Sequence, residues 1–312
     1  MRRAARRVVG GPRAVRVEAR AKLNLGLAVG PRRADGDHEI ATIFQSISLA
    51  DTLVLERRRA GFTLEVAFDR AGAAAVGAIP RGGKNLVLRA ARVMEEETGI
   101  PGAHIRLRKR IPAASGLGGA SADAAATIAG LARLFDIRLD RSRRMALAAR
   151  LGADAPFAAL GGTALGLGRG ERLERVSLKR PFRAVIAVPP WRVSTAQAFR
   201  RIDAGKYGLT AWSAKLRFAQ ALGRDGVTAL AGQRLGNTFE LALGNRTSNL
   251  ESLRERMSVA GLQAPRMTGS GSAVFGILPA GKSAKTIVSR FVGDERLYLV
   301  RSVSTGARIE VA

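Results

Sequence analysis

The sequence of 312 residues predicts an α+β protein, and three features support that fold class. From Val15 to Leu27 apolar residues alternate with polar ones, which is the period of two of a half-buried strand. From Ala124 to Phe135 apolar residues recur at the spacing of one helix face. Strand-like and helix-like segments then follow one another without strict βα alternation, which favours α+β over a doubly wound parallel fold.

The same periodicities predict the remaining elements in order. Strands are expected at residues 40–48, 52–56, 62–68, 103–108, 184–188, 273–278 and 297–303, with a strand pair within 161–171. Helices are expected at 85–97, 124–135, 141–151, 195–202, 211–222, 249–259 and 284–291, with a short one from 153. Ser121 and Asp140 are predicted N-caps, and residues 71–83 a loop of small residues. A boundary near residue 178 divides the chain into predicted domains 1–178 and 179–312.

Composition limits the function classes. There is no cysteine, so disulfides, thiolate catalysis and zinc–sulfur sites are excluded, and two histidines are too few for a histidine-rich metal site. The net charge of +27 has two interpretations: a nucleic-acid binder, or an arginine-rich surface on an enzyme of phosphorylated metabolites. Aromatic residues are 5% and do not interleave with basic runs, so we favour the second and expect no nucleic-acid partner.

The basic segment at residues 1–13 lacks the apolar core of a secretory signal. No run approaches the roughly 18 apolar residues of a membrane span. We therefore expect a cytoplasmic protein with no membrane partner.

A glycine-rich loop at residues 111–121 lies between the strand at 103–108 and the helix that follows it. Glycines allow the backbone to approach a ligand closely, and the free N–H groups of a helix start attract anions. The loop is therefore a candidate phosphate site, although an ordinary turn is about as common. It is not a Gly-x-x-x-x-Gly-Lys-Ser/Thr loop, and it does not open a dinucleotide-binding βαβ unit.

Four segments together identify a family. AKLNL at 21–25, the loop at 112–125, LGADAPF at 151–157 and TGSG at 268–271 resemble the GHMP small-molecule kinases, over nearly the whole chain from Val15. Residues 32–40, 42–45, 51–53 and 84–91 are similar to members of that family that act on a cytidine nucleotide.

The resemblance implies a two-domain GHMP kinase fold, with an N-terminal ATP-binding domain like domain 2 of ribosomal protein S5 and a ferredoxin-like C-terminal domain. The implied reaction moves the γ-phosphoryl group of ATP to the 2-hydroxyl of a cytidine-diphosphate-linked methylerythritol. ATP and Mg²⁺ are the implied cofactors, with metal ligands unknown, and the protein is expected to be a monomer or homodimer.

The resemblance also implies residue roles. Asp154 matches the base that takes the hydroxyl proton, and Lys22 matches the cation beside it. The implied ATP-binding residues are Pro112, Ala113, Ala114, Ser115, Gly116, Leu117, Gly118, Gly119, Ala120, Ser121, Ala122 and Asn85. The implied substrate-binding residues are Asn24, His38, Phe199, Thr268, Gly269 and Ser270.

Structural interpretations stay open beside these roles. Alone, Asp154 could be a helix N-cap and Lys22 a solvated lysine on a strand. His38 could be a loop histidine, Phe199 a core residue, and 268–272 a plain hairpin turn. A different GHMP kinase, for homoserine, mevalonate or a sugar, and an RNA-binding protein are the alternative functions.

Two positions depart from the resemblance. The related enzymes usually have Gly-Tyr-His where this sequence has Gly36-Asp37-His38, and Asp37 cannot replace the π-face that a tyrosine offers to cytosine. We therefore hypothesise a lower affinity for the nucleotide or a compensating residue elsewhere in the chain. Lys84 stands where an acidic residue commonly precedes Asn85.

Overall fold

Two β-sheets form the framework of this computed structural model, which describes residues 11–69, 79–80, 82–205, 207 and 211–312. The strands are β1 (Ala14–Arg32), β2 (His38–Arg57), β3 (Gly61–Phe68), β4 (Gly102–Lys109), β5 (Thr163–Leu167), β6 (Arg172–Arg175), β7 (Arg183–Val188), β8 (Gln263–Met267), β9 (Val274–Ile277), β10 (Arg296–Arg301) and β11 (Ala307–Val311). Within the described residues, seven strands make the first sheet in the order β11-β1-β2-β4-β3, with β5 on β2 and β6 on β5. The second sheet has the order β10-β7-β9-β8.

Helices cover the sheets. They are α1 (Leu86–Thr98), α2 (Gly119–Leu134), α3 (Arg141–Ala149), α4 (Ala155–Leu160), α5 (Thr195–Gly205), α6 (Trp212–Asp225), α7 (Ala229–Gln233), α8 (Thr247–Val259) and α9 (Ala284–Arg290), with 3₁₀ turns at Thr238–Ala242 and Gly244–Arg246. In the part of the chain that the structure describes, no helix has the length and apolar character of a membrane span.

The second sheet confirms the ferredoxin-like prediction. Along the chain, β7, α8, β8, β9, α9 and β10 follow the β-α-β-β-α-β order of that motif, with α5, α6 and α7 inserted after β7. Its strands pair antiparallel throughout. The α+β class is therefore confirmed, and the two sheets agree with a two-domain GHMP kinase fold.

Strand β1 connects the two halves of the molecule. Its first residues follow the predicted alternation, but residues 21–30 are buried on both faces. Val17 packs with α1 and α2 in one core, whereas Leu23 and Leu25 pack with Ile186 and Phe275 of the second sheet in another. The face of β1 that the sequence predicts to be solvated, with Lys22 and Asn24, is thus enclosed.

Two predictions about local structure are wrong, and three elements were missed. Ser121 is not an N-cap: α2 begins at Gly119, because Gly118 adopts a left-handed φ of 70° and turns the chain directly into the helix. The strands expected at 40–48 and 52–56 are one strand, β2, because Asp51 between them is buried and its carboxylate accepts hydrogen bonds from the amides of Arg110 and Ile111. Strands β8 and β11 and helix α7 were not predicted.

The other elements lie near their predicted positions, and the Asp140 side chain does cap α3. The boundary at residues 178/179 stays a prediction; the last strand, β11, pairs with β1 in the first sheet. Most of the predicted loop at 71–83 and of the basic segment at 1–13 lies outside the described residues.

Candidate active site

The glycine loop runs from β4 to α2 and is fixed by backbone contacts on two sides. Leu117 is buried, and its carbonyl oxygen accepts a hydrogen bond of 3.0 Å from the amide of Lys22 in β1. The carbonyl oxygen of Ser115 accepts one of 3.1 Å from the amide of Ala273. Gly116 has a φ of 80°, and a Cβ there would collide with the carbonyl oxygen of Thr268. Glycine is therefore required at 116 by both conformation and space.

A cavity of about 400 Å³, the donor cavity, lies on one side of this loop. It is lined by most of the loop together with Ile79, Pro80, Lys84, Asn85 and Lys109. Asn85 caps α1: its Oδ1 accepts from the amide of Val87 at 2.9 Å, and its Nδ2 donates to Pro80 at 2.6 Å. The side chain thus fixes the wall of the cavity, and the loop amides at the start of α2 can face an anion.

A second cavity of about 390 Å³, the acceptor cavity, lies on the other side of the loop. Gly116, Gly118 and Ser121 line both cavities. Lys22, Asn24, Asp154, Phe199, Gly269 and Ser270 also line the acceptor cavity, together with Arg169, Thr195 and Phe239. The structure therefore brings most of the predicted catalytic and substrate residues around one space that meets the donor cavity at the loop.

Lys22 and Asp154 lie in the acceptor cavity with 3.6 Å between Nζ and Oδ2. The Lys22 side chain is 8% exposed, whereas that of Asp154 is 40% exposed. Lys22 Nζ also donates to Asn24 Oδ1 at 2.5 Å, and Asn24 Nδ2 donates to Thr42 Oγ1 at 2.8 Å. These contacts fix the ammonium group, while the carboxylate remains accessible to a substrate.

Asp154 occupies the N-cap position of α4, but its side chain does not cap the helix, since it makes no capping hydrogen bond within the described residues. Its backbone is in the right-handed helical region, with φ −82° and ψ −15°, instead of the extended conformation of a capping residue. The carboxylate is directed towards Lys22.

The turn at residues 268–270 forms part of the wall of the acceptor cavity, through Gly269 and Ser270. Thr268 is fully buried and does not line the cavity; its Oγ1 accepts a 2.9 Å hydrogen bond from the amide of Asn24. Ser270 and Thr195 share a hydrogen bond of 2.7 Å between their hydroxyl groups. Asn237, which the sequence analysis missed, donates through Nδ2 to the carbonyl oxygens of Met267 and Gly269 at 2.8 and 2.9 Å. These two hydrogen bonds from the Asn237 side chain fix the conformation of the turn.

His38 and Phe199 are adjacent but differ in access. Their rings stack with centroids 5.2 Å apart, and Phe199 lines the acceptor cavity whereas His38 does not. His38 Nδ1 lies 3.0 Å from the carbonyl oxygen of Gly30, and Nε2 lies 3.0 Å from Asp203 Oδ1. His38 thus packs against the ring of Phe199 without lining the cavity itself. A direct contact of His38 with a nucleobase stays a prediction.

Asp37 has a partner that the sequence analysis did not identify. Its Oδ2 lies 3.2 Å from Arg169 Nη1, and Arg169 lines the acceptor cavity. The backbone amide of Arg169 donates to Glu171 Oε2 at 2.6 Å. In the sequence, Arg169 is marked only by its position in the glycine-rich turn between β5 and β6. Its contact with Asp37 depends on the fold, because the two residues are distant in sequence.

A buried charged cluster supports the loop from the donor side. Lys109 donates to both Asp51 and Asp123, the latter at 2.6 Å, and all three side chains are at most 5% exposed. Burial raises the pKa of Asp123 well above its usual value, and the attraction of Lys109 only partly offsets this. Burial also disfavours the ammonium of Lys109, but the two carboxyl groups outweigh it and raise its pKa.

The comparisons agree with this geometry. The family model described as the N-terminal domain of GHMP kinases matches residues 85–162, which include the loop and Asp154. The 4-diphosphocytidyl-2-C-methyl-D-erythritol kinase of Moorella thermoacetica is 39% identical over 269 residues, or 86% of this chain and 92% of that protein. The crystal structure of a 4-(cytidine 5'-diphospho)-2C-methyl-D-erythritol kinase has a TM-score of 0.71 at 34% identity, covering 92% of this chain and 98% of that one.

A homoserine kinase from Cytophaga hutchinsonii shares the fold, with a TM-score of 0.72 at 17% identity over 96% of this chain and 98% of that one. Fold and site thus define a small-molecule kinase, and the chain belongs to the GHMP kinase family. Within that family, the two relatives at 39% and 34% identity carry the name of the same cytidine-diphosphate-linked methylerythritol kinase.

Proposed function

We propose that this chain transfers the γ-phosphoryl group of ATP to the 2-hydroxyl of 4-diphosphocytidyl-2-C-methyl-D-erythritol, a step of non-mevalonate isoprenoid synthesis. One observation carries the proposal: two cavities meet at Gly116, Gly118 and Ser121, and the Lys22–Asp154 pair lies on the acceptor side. The names of the relatives at 39% and 34% identity supply the substrate.

The reaction needs a base, a cation and a set of phosphate ligands. Asp154 takes the proton of the attacking hydroxyl, since it is the accessible member of the pair. The ammonium of Lys22 offsets negative charge on the phosphoryl group as it is transferred. The amides at the start of α2 bind phosphate oxygens. Phosphoryl transfer depends mainly on such positioning and charge stabilisation.

The site can accommodate Mg²⁺. Within the described residues no cluster of three acidic or histidine side chains could hold a metal alone. In kinase sites, however, Mg²⁺ keeps several waters and is bound largely by substrate phosphates. Ser121 lines both cavities, and its hydroxyl oxygen would contribute a ligand there. When bound, the ion neutralises charge on the β- and γ-phosphates.

The acceptor cavity offers aromatic and cationic side chains to the cytidine diphosphate part of the substrate. Phe199 meets Phe239 edge to face, with ring centroids 5.0 Å apart, and offers an apolar wall to the cytosine. Arg169 adds a planar cation that can stack on a base or pair with the diphosphate. Arg169 is thus a candidate for the residue that compensates for the tyrosine that Asp37 replaces.

The partners of this function are ATP and the cytidine-linked substrate. We propose that neither a nucleic acid nor a membrane is a partner, and that the enzyme acts in the cytoplasm as a monomer or homodimer. The alternatives are another GHMP kinase, acting on homoserine, mevalonate or a sugar, and an RNA-binding protein. The 17% identical homoserine kinase supports only the shared fold.

A coupled assay of ADP release tests the proposal, with purified enzyme, MgATP and each acceptor in turn. We expect turnover with the cytidine-linked methylerythritol and background rates with homoserine, mevalonate and galactose. Background rates with the cytidine-linked substrate would contradict the proposal. RNA binding that falls steeply with salt and is indifferent to Lys22→Ala would favour the RNA alternative.

A further inference from the structure

A third cavity lies apart from the two substrate cavities. It has a volume of about 600 Å³ and is bordered by β1, β5, β6 and the segment that follows β10. None of the residues that line it lines the donor or acceptor cavity. It therefore needs an explanation of its own.

Three arginines face this cavity: Arg20 from β1, Arg175 from β6 and Arg301 from β10. No aspartate or glutamate is among the described residues that line it. Glu18, outside the lining, lies 3.2 Å from Arg20 Nη2 and compensates one of the three charges. Neither Arg175 nor Arg301 forms an ion pair with a described side chain, so the cavity retains a net positive charge.

Arg20 has unused hydrogen-bonding capacity at this place. Its side chain is only 10% exposed, and its Nε is buried without a hydrogen-bond partner among the described residues. A buried guanidinium N–H without a partner costs free energy, and an anion oxygen would remove that cost. Arg175 is held at the rim, since its Nη2 donates to the carbonyl oxygen of Leu160 at 2.9 Å.

Hydroxyl groups complete the lining. Ser302, Ser304 and Thr305, on the segment after β10, are among the lining residues. The Oγ of Ser302 accepts from the amide of Phe182 at 3.0 Å, which leaves its O–H free to donate. Arginine forks and hydroxyl donors without a carboxylate are the combination that binds phosphate groups.

We propose that this cavity binds a small molecule with a diphosphate group or two neighbouring phosphates. The three guanidinium groups come from three different strands and offer more N–H donors than one phosphate group needs, which favours two linked phosphates over one. The bound anion joins β1 and β6 of the first sheet to β10 of the second and so stabilises the folded chain. This cavity shares no lining residue with the two cavities of the kinase reaction.

Inorganic pyrophosphate is the probe, titrated into the full-length protein by calorimetry. The protein is first saturated with adenosine 5'-(β,γ-imido)triphosphate to occupy the donor cavity. The test variant is Arg175→Gln/Arg301→Gln, whose side chains are at the rim. The matched control is Arg16→Gln/Arg172→Gln, which removes the same charge from exposed positions of β1 and β6.

We expect saturable binding to the natural protein, weakened at least about tenfold in the test variant and by less than about twofold in the control. Inorganic phosphate should bind more weakly than pyrophosphate. Absence of saturable binding would overturn the proposal. Equal weakening in both variants would also overturn it, because it would indicate general attraction to a chain of net charge +27.

Discussion

Lys22 Nζ lies 3.6 Å from Asp154 Oδ2, and the two residues have opposite access to solvent. The lysine is fixed by Asn24 and by the hydrogen bond from its own amide to the loop. The aspartate lies before α4 in the described structure without capping it. A fixed cation and an accessible carboxylate suit proton removal from a bound hydroxyl, because the base must reach a substrate that comes and goes.

The first prediction concerns Asp154. Asp154→Asn should lower kcat by a factor of about 10² to 10⁴, the usual contribution of a general base, with little change in the thermal midpoint. The control is Asp140→Asn, since Asp140 caps α3 with a 2.7 Å hydrogen bond to the amide of Arg143. That variant should keep full kcat. Steady-state kinetics and thermal unfolding measure both, and near-normal kcat in Asp154→Asn would reject the proposed base.

The second prediction concerns the phosphate loop. Gly116→Ala should abolish most ATP binding and destabilise the protein, because a Cβ would strike the carbonyl oxygen of Thr268 and displace the loop. Gly281→Ala is the control: its φ of 75° resembles the 80° of Gly116, but a Cβ there meets nothing within 4 Å. The control should lose only about 1 to 2 kcal/mol from its positive φ. Calorimetric titration with ATP separates the two, and equal affinities would refute the role of this contact.

Much of the fold could be predicted from sequence, because periodicity records which face of an element is buried. The predictions failed where tertiary contacts decide. Ser121 resembles an N-cap, but the left-handed Gly118 starts the helix earlier. Lys22 and Asp154 required a family resemblance, since nothing local links them. The roles of Arg169 and Asn237 could not be predicted, because their partners are distant in sequence.

The third prediction concerns the buried cluster beside the donor cavity. Lys109→Met should destabilise the protein by about 3 to 5 kcal/mol, because Asp51 and Asp123 would remain buried without their cation. Lys285→Met removes an exposed lysine on α9 and should change stability by less than about 0.5 kcal/mol. Urea unfolding measures the difference. A Lys109→Met protein as stable as the control would show that the cluster does not depend on its lysine.

The fourth prediction is a pH dependence. Burial disfavours the charged form of Glu295, but its hydrogen bonds with Arg256 outweigh this and hold the pKa of Glu295 below its usual 4.5. A carboxyl with a lowered folded-state pKa contributes stability above its unfolded pKa and loses it as the pH falls through the folded value. The stability gap between the natural protein and Glu295→Gln should be about 1 to 3 kcal/mol near neutrality and shrink below pH 4.5. Urea unfolding across acid pH measures it, and a constant gap would contradict the assignment.

The fifth prediction concerns the pair at the mouth of the acceptor cavity. Asp37 holds Arg169 at 3.2 Å, and Arg169 lines that cavity. Arg169→Ala should raise KM for the cytidine-linked substrate about tenfold with kcat nearly unchanged, because the lost contact binds substrate and transition state equally. Arg172→Ala, on the neighbouring strand and outside the cavity, should leave KM unchanged.

Asp37→Tyr tests the same pair from its other member. The new ring can stack on cytosine, so KM should fall if the missing π-face limits binding. It should rise if Asp37 matters mainly as the anchor of Arg169, because the guanidinium then loses its carboxylate partner. In Arg169→Ala that anchoring is already absent, so a rise in KM on adding Asp37→Tyr should disappear in the double variant. Unchanged KM in Arg169→Ala and Asp37→Tyr alike would remove both residues from nucleotide recognition.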